Sequence, residues 1–493
     1  MRGNTPLQSL LFLLLVGLLA MITMWVFPKN GIPLTNSVTL EYESLEDFFG
    51  NNTKETPTIE DSLFAVVGID SVALRDSLDR IAQIHQERVT SIQHASSQQS
   101  SLALFYNALS KLKAEGGKVR ILHYGDSQIE GDRMTRYIRN KFQKEFGGNG
   151  PGLVPAYQVI PTGAVHQYKS DNWLRYTAYG NKDTTLQHKN YGLLASFSRF
   201  NPPPDSIENS DTLTAWLEIQ PATFGYSHLK TFSQMSMLLG GNTKPVEISI
   251  TVDSSVLVFK ETLKANTFNR KLIVKFNKTP SSVLITFKGL DSPNVYSLSF
   301  EGKSGIIVDN IPLRGSSGTL FRRINKELLI RQYANEPIKL VILQFGGNSI
   351  PYTNSKKQAE KIGNYLRSNI HYLKSILPNA SFLVIGPSDM STKIKSEFVT
   401  YPILEFVRDQ VQKAAHAEGA AYYDMYEVMG GKNSMPSWVT AEPPLAGPDY
   451  VHFTTKGAAK MAALFYTALK KDYEKYLEAQ LPSLTPDSTT HAN

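Results

Sequence analysis

The alternation of apolar and polar positions divides this chain into three regimes. After Arg2, the run Leu10–Phe27 (LLFLLLVGLLAMITMWVF) holds 18 consecutive apolar or neutral residues without a charge. About 20 such residues cross a bilayer as a helix. The run ends in Trp25, Val26 and Phe27 and is followed by PKNGIP, with no small-x-small cleavage pattern. An uncleaved signal anchor over 1–29 is therefore expected, with the remainder outside the cytoplasm, on the periplasmic side of a bacterial inner membrane. From 30 to about 100 the chain is polar and turn-rich (NNTKETPTIEDS, ASSQQSS), the pattern of a stalk and linker.

Beyond residue 100 the period changes. Leu102, Phe105, Leu109 and Leu112 recur at helical spacing, KVRILHY reads as a short buried strand, and MTRYIRNKFQKEF is a helix closed by Gly147 and Gly148. Downstream, IKLVILQF, SFLVIG and AAYYDMY are strand-like. SKKQAEKIGNYLRSNIHYLKSIL, EFVTYPILEFVRDQVQKAAHAEG and the run from Thr454 to Leu481 are helical between and after them. Strands alternating with helices predict a parallel sheet covered on both faces, built from 101–164 and 305–480. The stretch 165–304 breaks this rhythm. Val246, Ile248, Ile250 and Val252 alternate, as do Val283, Ile285 and Phe287, and Tyr296, Leu298 and Phe300, with turn residues between the runs. An inserted antiparallel β-sandwich is expected there, and a polar tail over 481–493.

Composition narrows the chemistry. The 493 residues include no cysteine, which excludes disulfides, thiolate catalysis and cysteine-based metal sites. The net charge of +7 is spread along the chain rather than gathered into a basic run, so nucleic-acid binding is not expected. There is no G-x-S-x-G elbow, P-loop, H-E-x-x-H or dinucleotide fingerprint.

Three short motifs remain. Gly125-Asp126-Ser127 follows a predicted strand and precedes a helix, where ligands collect in doubly wound sheets. Alone it reads first as an ordinary helix cap. Asp449 and His452 lie three apart before the last helix, and His452 is the only one of ten histidines with an aspartate at that offset. A serine hydroxyl needs such an oriented base to accept its proton. Gly346-Gly347-Asn348 follows the strand LVILQF; Asn348 could donate to an oxyanion, or simply occupy a glycine-rich turn.

Order and placement together resemble the SGNH (GDSL-type) hydrolase superfamily, over about 120–160 and 305–470. The resemblance implies a flavodoxin-like three-layer α/β fold and a Ser-His-Asp triad that needs no metal or cofactor. Ser127 would be the nucleophile, His452 the general base and acid, and Asp449 its orienting partner. Asn348, the Ser127 amide and the Gly315 amide would form the oxyanion hole, with Gly318 the competitor for Gly315. Gln128 stands where the GDSL pattern has Leu, and Ser349 where many members have Asp.

The inserted sandwich is similar to the carbohydrate-binding-like insert of envelope O-acetylesterases. That likeness implies an acylated peptidoglycan or other envelope glycan as substrate. Two alternatives stay open: an O-acyltransferase with the same triad, and a non-catalytic glycan-binding protein. Trp438 is a candidate for stacking on a sugar or for a core or lid position, and Asp389 in GPSDM for a cleft wall or a turn.

Overall fold

The computed structural model describes residues 90–480 apart from 181, 182, 184, 185, 187, 203–210 and 224, together with the backbone of the antiparallel pair Ile32–Thr35 and Val38–Leu40. The chain divides into two compact units, Met1–Ile84 and His85–Asn493. The expected anchor Leu10–Phe27 lies outside the described residues, as does most of the expected stalk. Among the described residues no helix is long and apolar enough to cross a membrane.

In the second unit five strands form a wholly parallel sheet. They are β1 (Lys118–Gly125), β2 (Gly305–Pro312), β3 (Ile338–Gln344), β4 (Ser381–Ile385) and β5 (Ala421–Tyr423), in the spatial order β2-β1-β3-β4-β5. This is the flavodoxin-like order, in which the chain reverses direction across the sheet between β1 and β3. The carboxyl ends of those two strands border the crevice where such sheets bind ligands.

Both faces are covered, which explains why the strands read as continuous apolar runs. Val119 and Ile121 of β1 face α1 (Ala103–Glu115) and α2 (Thr135–Phe146), with Phe105, Leu109, Ile138 and Phe142 in one core. Leu122 and Tyr124 face the other way. Their core contains Leu328 of α3 (Lys326–Tyr333), Leu366 and Ile370 of α4 (Lys356–Ile376), and Val407 of α5 (Leu404–Ala417). The last helix, α6 (Thr455–Gln480), packs Ala458, Met461 and Phe465 into the first core. Ser355 caps α4 by accepting from the Gln358 amide.

The insert is a sandwich of two antiparallel sheets around its own core, in which Val246, Ile248, Ile250, Val283, Ile285 and Phe287 are all buried. Its first paired strand, Gly152–Val154, lies ahead of residue 165 and pairs with Asn294–Glu301, which leads directly into β2. Tyr296, Leu298 and Phe300 do not share one face as simple alternation requires. The register shifts between Val295 and Ser297, so Tyr296 joins the α/β core while Leu298 and Phe300 join the sandwich core.

The join between sandwich and sheet is close and charged. The chain at Gly150 passes so near Phe300 that a Cβ there would lie 2.3 Å from its carbonyl oxygen, and φ is +87°. Arg120 of β1 donates to Glu301 at 2.6 Å and to Asp309 of β2 at 2.9 Å, while the other Asp309 oxygen accepts from the Leu153 amide at 2.8 Å. All three side chains are buried.

Two further departures have local causes. The segment Glu397–Thr400 is not the start of a helix but a strand paired with Ser391–Ile394; Phe398, Val399 and Thr400 favour extension and Pro402 delays the helix to Leu404. The end of the expected linker is also ordered, since Gln93 exchanges two 2.8 Å backbone hydrogen bonds with Tyr422 at the sheet edge.

Candidate active site

Ser127 begins a short turn of 3-10 helix directly after β1, with Asp126 as its cap; the Asp126 carboxylate accepts from the Gln128 amide at 2.9 Å. The cap of the Gly-Asp-Ser motif is thus Asp126 and not Ser127. Asp126 is the cap, and the Ser127 hydroxyl is directed into the cleft, donating to His452 Nε2 at 2.8 Å. On the far side of the ring, His452 Nδ1–H donates to Asp449 Oδ2 at 2.7 Å. The Val451 and His452 amides, each at 3.0 Å, donate to the other oxygen. Burial acts to raise the Asp449 carboxyl, but these hydrogen bonds and the imidazole outweigh it and hold the group below its ordinary range. An ionised Asp449 fixes the Nδ1–H tautomer, leaving the Nε2 lone pair for Ser127.

The turn carrying His452 is built locally. Gly447 donates its amide to the His452 carbonyl at 2.7 Å, and Tyr450 takes φ +58°. The Tyr450 ring stacks on Phe398 with centroids 3.6 Å apart and planes 5° apart. The hairpin of Ser391–Ile394 and Glu397–Thr400 therefore supports the histidine turn from outside, a role hidden from pattern reading because its second strand lies in a stretch that reads as helix.

Asn348 follows β3, next to β1 in the sheet, and its side-chain amide donates to the Ser316 carbonyl at 3.1 Å. That bond uses one of its two N–H groups. Gly315 follows β2, on the other side of β1. It has φ +75° and lines the same cleft, which is about 770 Å³ and also bordered by Ser127, Asn348 and His452. Among the described residues the amides of Ser127 and Gly315 have no acceptor within hydrogen-bond distance. Gly318, the competitor, packs against the Phe345 ring, and its amide donates to Ser316 Oγ.

Two expected candidates fall elsewhere. Trp438 is buried behind the histidine loop, against Phe453, with its indole N–H donating to the Met429 carbonyl at 3.1 Å. It does not line the cleft and cannot stack on a sugar there. Gly386, Pro387, Ser388 and Met390 do line the cleft, but Asp389 between them turns inward, accepting from Thr400 Oγ1 and the Met435 amide.

Sequence reading missed two residues that clamp the serine turn to the histidine turn. Gln128 donates to the Val451 carbonyl at 2.7 Å and accepts from the Phe453 amide at 3.3 Å, so it holds the backbone on both sides of His452. Arg133 donates to the Ser127 carbonyl and, at 2.8 Å, to the Phe453 carbonyl. Gln128 in place of an apolar residue was the available signal, since a buried amide must find partners.

No family model matches the chain, and no curated protein matches it. Among solved structures, a peptidoglycan O-acetylesterase is similar over 78% of this chain and 99% of its own, with 18% identity and a TM-score of 0.58. A Bacillus subtilis protein matches 71% of this chain and 98% of its own at 14% identity, with a TM-score of 0.29. A Geobacillus stearothermophilus acetylxylan esterase matches 34% and 73% at 13% identity and a TM-score of 0.25. The last two scores are too low to carry an argument. The first shows a shared fold.

Proposed function

We propose that this chain is an SGNH-type serine esterase that removes acetyl or other short acyl groups from a glycan. The observation that carries the reading is the unbroken relay from Ser127 through His452 to Asp449, in one cleft with Asn348 and Gly315.

The chemistry follows from the geometry. His452 Nε2 takes the Ser127 proton as Oγ attacks the ester carbonyl. The oxyanion meets the free amides of Ser127 and Gly315 and the second N–H of Asn348. Asp449 stabilises the imidazolium, which then protonates the departing sugar oxygen. Water, deprotonated by His452, repeats the attack on the acyl-serine and releases the acid.

The fold shared with a peptidoglycan O-acetylesterase over 78% of this chain favours an envelope polysaccharide, peptidoglycan among them. The apolar run Leu10–Phe27 supports a membrane-anchored enzyme working outside the cytoplasm. The test is acetate release from O-acetylated peptidoglycan and acetylated xylan, compared with the Ser127→Ala protein. Release that persists undiminished in the variant overturns the assignment. Acyl groups recovered on an added glycan rather than as free acid would instead show a transferase.

A further inference from the structure

A second cavity, of about 330 Å³, opens beside the catalytic cleft where the sandwich meets the parallel sheet. It falls within the ~300–1,000 Å³ range of small-ligand sites. Glu130, Gly131, Ile160 and Arg314 line both spaces, so the two form one groove leading from Ser127 toward the insert. The floor of the second cavity is apolar, with Leu153, Val154, Val159 and Leu194.

Its charges are unbalanced. Asp132 and Arg139 neutralise each other in a buried pair at 2.7 Å. Glu130 is a carboxylate facing both spaces, and its nearest cation is Arg314 at 3.7 Å. Arg175 remains. Its Nη2 donates to the Tyr179 hydroxyl at 2.9 Å, and Tyr179 in turn reaches the Pro312 carbonyl. Its Nε is buried without an acceptor, and among the described residues no carboxylate pairs with it. On the cleft side Arg133 is held by backbone carbonyls and Asp126 and Glu130 supply carboxyl groups, so among the described residues Arg175 is the cation of the groove with no carboxylate beside it.

Arg175 is half-buried on the cavity wall, and its one hydrogen-bond partner there is the neutral Tyr179 hydroxyl, so its guanidinium can pair with an anion that enters the cavity. Its planar array of donors suits a carboxylate. We propose that the interdomain cavity binds a carboxylate-bearing sugar of the glycan, adjacent to the esterified one, and that Arg175 is the principal contact. The enzyme is then selective for acidic, uronate-type polysaccharides. This deepens the esterase reading and rests on it. Burial of Arg120, Asp309 and Glu301 at the junction keeps the two walls in register.

The test uses chemically acetylated polygalacturonate and the same polymer after carboxyl reduction, with acetate release measured on the full chain. The wild type should show a KM lower by about tenfold on the acidic polymer, the size of one charge-assisted hydrogen bond. Arg175→Gln should abolish that preference, with an unchanged melting temperature as the folding control. Equal KM values in the wild type, or a preference that survives Arg175→Gln, overturn the proposal.

Titration calorimetry of galacturonate trimer into the Ser127→Ala protein separates the two readings. Binding that is lost on adding Arg175→Gln supports the subsite whether or not esters are cleaved. Absence of binding overturns it even if acetate is released.

Discussion

Asp126 offers a test of how the site is built. It is buried beside Ser127, and burial pushes its carboxyl from an ordinary 3.8 up to about 6, against the Gln128 amide and the His452 imidazole, which lower it. A carboxyl raised in the folded state holds its proton longer there than in the unfolded chain. Folding stability therefore falls as pH rises through the window from about 3.8 to about 6.

The shift is about two units, and at 1.36 kcal/mol per unit the ionised group costs about 3 kcal/mol above pH 6. Asp126→Asn keeps an acceptor for the Gln128 amide and removes the charge. Its new amide hydrogens add an offset that does not depend on pH. The informative quantity is thus the stability difference between variant and wild type, measured by chemical denaturation at pH 7.5 and again at pH 4. The variant should gain about 2.5 kcal/mol relative to wild type between the two, because the unfolded carboxyl is already partly ionised at pH 4. His123, buried and lowered to about 4, acts in the opposite sense in both proteins and cancels in that difference. A difference that is flat with pH would refute the reasoning.

Other consequences follow from single residues. Asn348→Ala should lower kcat by about 10²–10³ with little change in KM, because the donor acts on the developing oxyanion. Equal loss in binding and turnover would assign Asn348 to substrate contact instead. Gln128→Leu removes both of that residue's hydrogen bonds to the histidine turn and should lower kcat by up to about 10² through misplacement of His452; Gln128→Glu, which keeps the acceptor, should fall between. Arg120→Met strands Asp309, Glu301 and Glu336 without their shared cation and should cost about 3–5 kcal/mol in denaturation.

Much of the site was legible because its chemistry is local. Ser127 and Asn348 each follow a strand whose apolar run marks its carboxyl end, and Asp449 and His452 are three residues apart in one turn. The parallel sheet was readable for a related reason, since strands buried on both faces have unmistakable composition. What escaped was set by distant partners. Gln128 and Arg133 act on residues more than 300 positions away, so no window of sequence contains both ends.

Trp438 was ambiguous because an indole needs one partner wherever it lies, and the fold supplied the Met429 carbonyl in the core. Likewise Tyr296 changes face at a bulge, where one extra residue resets an alternation that otherwise reads correctly. The choice between Gly315 and Gly318 needed the chain's path: one glycine borders the cleft and the other packs against Phe345.

The central claim is that Ser127 is a nucleophile activated by His452. Incubation with a fluorophosphonate probe, followed by mass spectrometry of the digested protein, tests it most directly. The account predicts one label per chain, on the peptide containing Ser127, absent from Ser127→Ala and much slower in His452→Ala. An unlabelled protein, or a label placed on another serine, would contradict it.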